Sequence, residues 1–471
     1  MKNMIITLPE KVSFIIRELT KNGYEAYAVG GCVRDSILRR NPEDWDITTS
    51  ASPFEVKRIF SHTVDTGIKH GTVTVLIGKE GFEVTTYRVD GEYEDNRHPK
   101  EVAFTTNLVE DLKRRDFTIN AMAYNDEEGL VDVFGGLADI KEQRIRCVGS
   151  AVERFDEDAL RILRAVRFSA QLGFEIEEET MEAIRLRAFN LKNISAERVR
   201  VELCKLLASS HPEKLITAYE TGITSVVLPE FDAMMKTEQP NSHHIYNVGM
   251  HTMKALTSLK DRYEAHELAA ECCYDKKKQL MLRITALLHD VAKPDIKVTY
   301  VESEGHFKDH AVLGSKLAKV ILRRLKFDNE TIDFVSHLIR YHDYRYGQTE
   351  EAMRYACYEI GIDMMDYLFE IQHIDLLAQN PVHTAELFKQ LEHARDLFAH
   401  VRDTNQCVNL KMLAVNGTDL ISSGFTPGKQ LGEVLKNLLE EVLKDPSLNT
   451  RDQLLHIAQT KYLSNINYQL P

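Results

Sequence analysis

The 471-residue chain has no Cys-x-x-Cys pair, no run of eighteen uncharged apolar residues, no tandem repeat and no low-complexity tract. Its seven cysteines, at 32, 147, 204, 272, 273, 357 and 407, form an odd and scattered set. That argues against a secreted disulfide framework and against a structural zinc site, and it suits a reducing cytoplasm. The opening MKNMIITLPEKVSFIIREL meets charges before an apolar core can build, so neither export nor membrane spanning is expected. Proline and glycine are sparse, at 12 and 23 residues, and 43% hydrophobic with 28% charged residues is ordinary for folded chains; disordered and collagen-like classes are excluded. Basic excess is lacking too: Lys+Arg 59 against Asp+Glu 72 gives −13, so any nucleic-acid surface must be local.

What is present divides into two regimes. Apolar residues at helical spacing (Val12, Phe14, Ile15, Leu19) predict a helix from Leu8 to about Asn22, followed by a strand in YEAYAVGG and further strands in DWDITTS, GTVTVLI and FEVTTYRV. From about Glu153 the pattern turns to long helical stretches and strand signals become scarce. DRYEAHELAAECCYDKKKQ and TEQPNSHH read as connections.

Gly30-Gly31 stand between a strand and a helix, an arrangement that leaves backbone N–H groups open to a phosphate, with Arg34 one turn in; taken alone, the pair reads more simply as a tight turn. Asp44-Trp45-Asp46 follows. In a strand the two carboxylates of D-x-D share one face, where a Mg²⁺ pair would activate a 3′-hydroxyl and neutralise a transferred phosphoryl group; a solvated acidic turn is the bland alternative. Arg114 and Arg115 read as a cationic surface ahead of an apolar helix, with Asp116 and Asn120 as capping groups. In Glu157–Phe168, Asp158 and Arg161 are three apart and share a helix face that Arg164 and Arg167 extend. A carboxylate that accepts from an exocyclic amine beside a guanidinium that donates to a ring nitrogen fits cytosine and adenine and repels guanine and uracil; a surface salt bridge is the alternative.

GG-x-V-R-D followed by D-x-D resembles the head of the DNA-polymerase-β-like nucleotidyltransferases, specifically class II tRNA CCA-adding enzymes and bacterial poly(A) polymerases. The resemblance runs on through HGTVTV, EVTTYRVDGEYEDNRHP and Asp111–Ala123 and covers roughly the first 210 residues, with Val133 where relatives usually carry proline, a departure we take as structural. It implies an α+β polymerase-β-like head followed by an all-helical neck, body, HD-type domain and tail. The expected boundaries are 1–147 for the head, 148–243 for neck and body, 244–380 for the HD-type domain and 381–471 for a tRNA-binding tail. It further implies that Asp44 and Asp46 hold Mg²⁺ and that Gly31 and Arg34 meet the triphosphate. Arg115, Asp158, Arg161, Arg164 and Arg167 are implied to select and position the nucleotide, and Ile194–Glu202 to support the neck. The implied partners are tRNA, CTP and ATP, with no membrane; oligomeric state is left open.

CC-adding relatives lack a flexible loop where DGEYEDNRHP stands here, which favours adding A as well, and the chain lacks the basic extensions usual in poly(A) polymerases. The expected function is untemplated addition of CCA to tRNA 3′ ends with release of pyrophosphate; an A-adding or poly(A) enzyme, or a metal phosphohydrolase acting on RNA ends, are the alternatives. That last reading comes from the second half. His251 on one helix, His289-Asp290 ending MLRITALLHDVAKP, then His310, His342 and Asp375, are imidazoles and carboxylates on several helices, suited to divalent metal and bound hydroxide. ALLHDVAK resembles the HD phosphohydrolase superfamily, which implies a second site for a divalent transition metal; a degenerate HD fold that only supports RNA is the alternative, and His337 competes with His342 as the ligand there. The amphipathic helices of Asn416–Leu455 are expected to serve packing and the tRNA elbow.

Overall fold

The computed structural model describes residues 5–91, 102–296, 298–301 and 304–463. It forms two compact units, Met1–Asp232 with Arg324–Lys326, and Ala233–Arg323 with Phe327–Pro471.

The first unit begins with the helix Glu10–Lys21, which buries Val12, Ile15, Ile16 and Leu19. Phe14, counted with the apolar stripe in the sequence, instead faces outward at 41% exposure, and Ile16 takes its place. The strands are β1 (Ala26–Val29), β2 (Ile47–Thr49), β3 (Thr63–Gly67), β4 (Thr72–Ile77), β5 (Glu80–Thr86), β6 (Arg88–Asp90), β7 (Val102–Phe104), β8 (Ala123–Asn125) and β9 (Gly129–Val131). Seven of them make one mixed sheet in the order β3-β4-β5-β2-β1-β8-β9, and β6 pairs with β7 in a separate ribbon. Within the large sheet β2 and β5 run parallel, with Ile47 opposite Val84. Residues 92–99 of the DGEYEDNRHP loop lie outside the described residues.

After Ser150 the unit is helical, with Ala151–Glu157, Leu160–Leu172, Glu178–Arg187 and Ala196–Leu207 as the longer helices. The continuous helix expected over Glu157–Phe168 is in fact two. Asp158 is extended (φ −137°, ψ 102°) and closes the first helix, and the second starts at Leu160, so Asp158 and Arg161 do not share a helix face. The D-x-D likewise is not in a strand: β2 starts one residue after Asp46.

The second unit is built around the helix Met365–Ala378, which is buried nearly all round; its apolar residues pack on every side, and buried Glu370 within it is held by Arg262 and Arg395. Helices Val248–Glu264, Lys276–Leu288, Asn329–Tyr341 and Pro381–Asp403 pack on it. Side chains of Asn247, Asp275 and Asp328 cap three of these helices at their N-termini. Part of the DRYEAHELAAECCYDKKKQ connection is thus helical, since Val248–Glu264 runs into it and Lys276 opens the next helix. The amphipathic tail buries Val434, Leu438, Leu439, Val442 and Leu443 against Leu420, Phe425 and Leu454 in a cluster of its own. Among the described residues no helix is long and apolar enough to cross a membrane.

Candidate functional site

Antiparallel pairing of β1 with β2 brings the end of one strand beside the start of the other, and that sets the first site. The Val29 N–H donates to the Asp46 carbonyl at 3.0 Å, so the D-x-D lies directly alongside the glycine turn although it precedes the strand. On the opposite flank the Gly30 N–H donates to the Met122 carbonyl at 3.1 Å, which draws in the RRDFTINAM segment. Gly30 has φ +84°, a conformation that side chains resist, and a Cβ there would stand 3.0 Å from an Arg115 guanidinium nitrogen. A Cβ on Gly31 would sit 3.7 Å from the Arg34 guanidinium. Both cations therefore lie on the turn.

Asp44 and Asp46 line a cavity of about 680 Å³ together with Glu43, Glu80 and Glu83, against Lys11, whose ammonium is already 2.6 Å from Glu80. The surrounding protein desolvates the Asp46 carboxyl and raises its pKa, nearby Glu83 and Asp44 add to the rise, and Arg115 opposes it. Uncompensated negative charge at two adjacent carboxylates fits a divalent cation.

Arg114 and Arg115 do not open an apolar helix as expected. They end the helix Leu108–Lys113 and are gathered by buried Asp111, which accepts from Arg114 at 2.8 Å and from the β2 residue Thr48 at 3.1 Å, with Arg115 at 3.4 Å. Asp116 and Asn120 are no helix caps either. Asp116 is paired with Arg164 at 2.5 Å and accepts from the Asn120 amide, while Asn120 Oδ1 accepts from Arg34 at 2.6 Å. Arg34 also holds Asp35, and Arg167 pairs with buried Glu202 at 2.5 Å.

The proposed base-reading pair is held from two sides. The Asp158 carboxylate takes Arg198 at 2.7 Å, and its other oxygen accepts from the Leu160 N–H at 3.0 Å. Arg161 takes Glu157 at 2.5 Å and donates to the Arg114 carbonyl at 2.8 Å. Arg198 and Glu202 stand on the helix Ala196–Leu207, within the segment that the sequence assigned to neck support. Asp111, Asn120, Glu157, Arg198 and Glu202 were not singled out individually as site residues; their signal was the alternation of acids among arginines, which spacing alone does not pair.

The second unit gathers all six of its predicted ligands. His251, His289 and Asp375 form one group and Asp290, His310 and His342 another, the ligand atoms of each lying within 4.8 Å. Four Nδ1 atoms meet backbone carbonyls: His251 at Ala378 (3.2 Å), His289 at Ala286 (2.8 Å), His310 at Phe307 (2.9 Å) and His342 at Ile339 (2.7 Å). A neutral imidazole that donates from Nδ1 to its carbonyl turns a bare Nε2 inward, the form that binds a metal. The Nε2 atoms face each other at 3.3 Å (His251 and His289) and 3.1 Å (His310 and His342), which without a cation between them sets lone pair against lone pair. Asp290, only 1% exposed, reaches both groups: Oδ2 is 3.3 Å from His289 and Oδ1 is 3.5 Å from His310. The donor set fits two divalent ions sharing Asp290.

With protons in place of metal, burial works against an imidazolium at His289, but Asp290 and Asp375 override it and push its pKa up to about 10. His310 goes the other way, to about 4, through burial and neighbouring His342. His337 is settled by geometry: its Nε2 lies 2.6 Å from the Ile360 carbonyl, outside both groups. Lys293, which the sequence reading left aside, is buried with its ammonium 2.7 Å from Asp290 and 2.8 Å from Gln239. A cavity of about 880 Å³ opens on the two groups and is lined in addition by Lys308, Arg340, Arg345, Tyr341 and Tyr344.

Family models match successive parts of the chain: the poly A polymerase head domain over residues 26–146, the RNA and SrmB-binding site of polymerase A over 173–235, the HD domain over 242–370 and tRNA nucleotidyltransferase domain 2 over 310–458. The CCA-adding enzyme of Lactococcus lactis subsp. cremoris (strain SK11) is 34% identical over 446 residues, 94% of either chain. That of Levilactobacillus brevis is 34% identical over 459 residues, 95% of this chain and 98% of its own. Over 206 residues, 44% of this chain and 52% of the relative, the CCA-adding enzyme of Oceanobacillus iheyensis reaches 53%. Among solved structures, the Bacillus stearothermophilus CCA-adding enzyme in complex with CTP is similar at a TM-score of 0.68 and 28% identity, covering 98% of this chain and all of that one. The Thermotoga maritima CCA-adding enzyme complexed with tRNA-CCA, at 0.60 and 21% identity with 96% of each chain covered, shares the fold. Divalent-metal use follows from the nucleotidyltransferase head and the HD domain together. Similarity that extends over nearly the whole length, on top of a head that brings the glycine turn, the paired aspartates and the arginines into one place, makes the chain a member of the CCA-adding enzyme family.

Proposed function

We propose that the head attaches CMP, CMP and AMP in turn to a tRNA 3′ end, taking them from CTP and ATP without a nucleic-acid template and releasing pyrophosphate. The observation that carries this reading is the paired carboxylates of Asp44 and Asp46 beside a glycine turn on which two guanidinium groups lie. Asp44 and Asp46 would hold Mg²⁺, which when bound supplies charge neutralisation at the transferred phosphoryl group and activates the 3′-hydroxyl. The remaining work belongs to the chain's own groups. Arg34 and Arg115, with the amides after Gly30, bind the triphosphate, and Arg164 and Arg167 extend that cationic surface. Asp158, oriented by Arg198, accepts from the base's amine while Arg161, oriented by Glu157, donates to its ring nitrogen. Residues 148–243 would serve as neck and body and 381–471 as a tRNA-binding tail. The seven unbridged cysteines favour work in the cytoplasm.

The test supplies a tRNA ending at the discriminator base with CTP, ATP or both, and sequences the 3′ ends. Two C residues with CTP and CCA with both are expected; A only, on a pre-made CC end, identifies an A-adding enzyme, and long A tails a poly(A) polymerase. Asp46→Ala is expected to lower addition by at least roughly 10²–10³-fold with tRNA binding largely retained. Addition at the wild-type rate would overturn the site assignment.

A second activity is favoured by the shared Asp290 between two metal-ligand groups in a cation-lined cavity. We read it as metal-dependent hydrolysis of phosphoesters at RNA ends, such as 2′,3′-cyclic phosphates. His289→Ala and Asp290→Ala are expected to abolish opening of the cyclic phosphate by water to a 2′- or 3′-monophosphate end and to leave nucleotide addition intact. Equal ring opening by wild type and both variants would leave the HD fold as RNA support only.

A further inference from the structure

The arginines of the head converge on an uncharged side chain. Phe168, 5% exposed on the helix Leu160–Leu172, has the guanidinium carbon of Arg167 3.7 Å from its ring centroid, that of Arg34 at 5.1 Å and that of Arg164 at 5.2 Å. The three belong to two separate helices. Each has a different carboxylate, Asp35 for Arg34, Asp116 for Arg164 and Glu202 for Arg167, so none of these acids ties the three together. The ring of Phe168 touches all three. Its own orientation is fixed by fully buried Phe117, which meets it edge-on at 5.7 Å and 80°. Three like charges gathered at one place repel, and the negative face of an aromatic ring offsets part of that cost where water is scarce. The array has a graded depth: the side chains of Arg167 and Arg34 are 7% and 10% exposed, while Arg164 at 33% reaches solvent.

We propose that Phe168 is a positioning residue that gathers Arg34, Arg164 and Arg167 into one preformed array for the triphosphate of the incoming nucleotide. The inference rests on the reading of the head given above and adds a role for a residue that touches neither base nor metal. Because the triphosphate is common to CTP and ATP, its signature is indifference to the base.

The experiment measures KM and kcat for CTP and ATP separately, with thermal midpoints, for Phe168→Leu and for proteins carrying mono-, di-, tri- and pentafluorophenylalanine at 168. Fluorination weakens and finally reverses the charge of the ring face while nearly keeping its size, a change that a purely space-filling role ignores. Phe168→Leu is expected to raise KM about tenfold, equivalent to about 1.4 kcal/mol, equally for both nucleotides and with kcat within about twofold. KM is expected to climb steadily along the fluorinated series, with the midpoint falling by only about 2–4 °C per kcal/mol of ring attraction lost. A pentafluoro enzyme with the KM of the natural one, or an effect on one nucleotide only, overturns the proposal. If Phe168→Leu does not fold, the fluorinated series decides. Arg164→Ala separates the two levels: no change in either KM there removes the triphosphate reading itself, whereas a large rise there with a flat fluorinated series removes only the role of Phe168.

Discussion

Asp116 shows how much of the head depends on single charges in the right company. Burial would raise its carboxyl pKa, yet the guanidinium of Arg164 at 2.5 Å, then the charge of Arg161 and the Asn120 amide, drive it far below the usual carboxylate range. A pKa lowered in the folded state gives stability that is complete above the unfolded value of about 3.9 and is lost as the pH falls through that value towards the folded one. Asp116→Asn is therefore expected to cost roughly 3–5 kcal/mol at neutral pH, by leaving Arg164 without its anion, and to flatten the acid limb below about pH 4. Urea midpoints at pH 7, 5 and 3 check this; parallel profiles for the two proteins would refute it. At this scale the sequence was legible in residue type and not in pairing. Arg34, Arg115, Arg164 and Arg167 could be named from their motifs. That Arg164 is anchored by Asp116 and Arg167 by Glu202 follows from tertiary packing, which spacing along one chain does not encode.

Elements were legible where their signal is local. The glycine turn after β1 and the long apolar helices of the second unit follow from residue periodicity and from the residue that adopts positive φ most readily. The break at Asp158 was not, because the surrounding run reads as continuous helix; the extended conformation there accompanies an ion pair to Arg198 on another helix, a tertiary constraint that outweighs propensity. The parallel pairing of β2 with β5 was equally hidden, since it joins segments separated by a helix and two strands. The glycine turn yields a paired test. Gly30→Ala must hold a side chain at φ +84° with its Cβ 3.0 Å from Arg115, whereas at Gly31 the conformation is ordinary and the nearest atom, on Arg34, is 3.7 Å away. Gly30→Ala is expected to cost about 1–3 kcal/mol of stability and to lower kcat/KM for both nucleotides by displacing Arg115. Gly31→Ala is expected to do markedly less of both. Thermal melts and initial rates on the two variants decide, and equal effects would remove the conformational argument.

At the scale of the molecule, two compact units carry two candidate sites, and the second buries a set of histidines whose Nε2 atoms face one another. An unfolded chain scatters those ligands, so ions that bind the HD site bind the folded second unit almost exclusively, and their binding free energy becomes stability of that unit. At a free concentration of about 100 times Kd the gain is about 2.7 kcal/mol, which for a unit of this size is a rise of roughly 5–10 °C. The head, where Asp44 and Asp46 offer carboxylates two residues apart in one loop, has far less to gain, because that pair stays close even in the unfolded chain. Calorimetry of the whole chain with Mn²⁺ and then with excess chelator is expected to move one unfolding transition by that amount and to leave the other nearly in place. Asp290→Ala should abolish the movement, because it removes the carboxylate that reaches both groups, while Asp46→Ala should retain it. A shift that survives Asp290→Ala, or that vanishes with Asp46→Ala, would mean that the stabilising ions sit elsewhere and that the four converging imidazoles are held by protons alone.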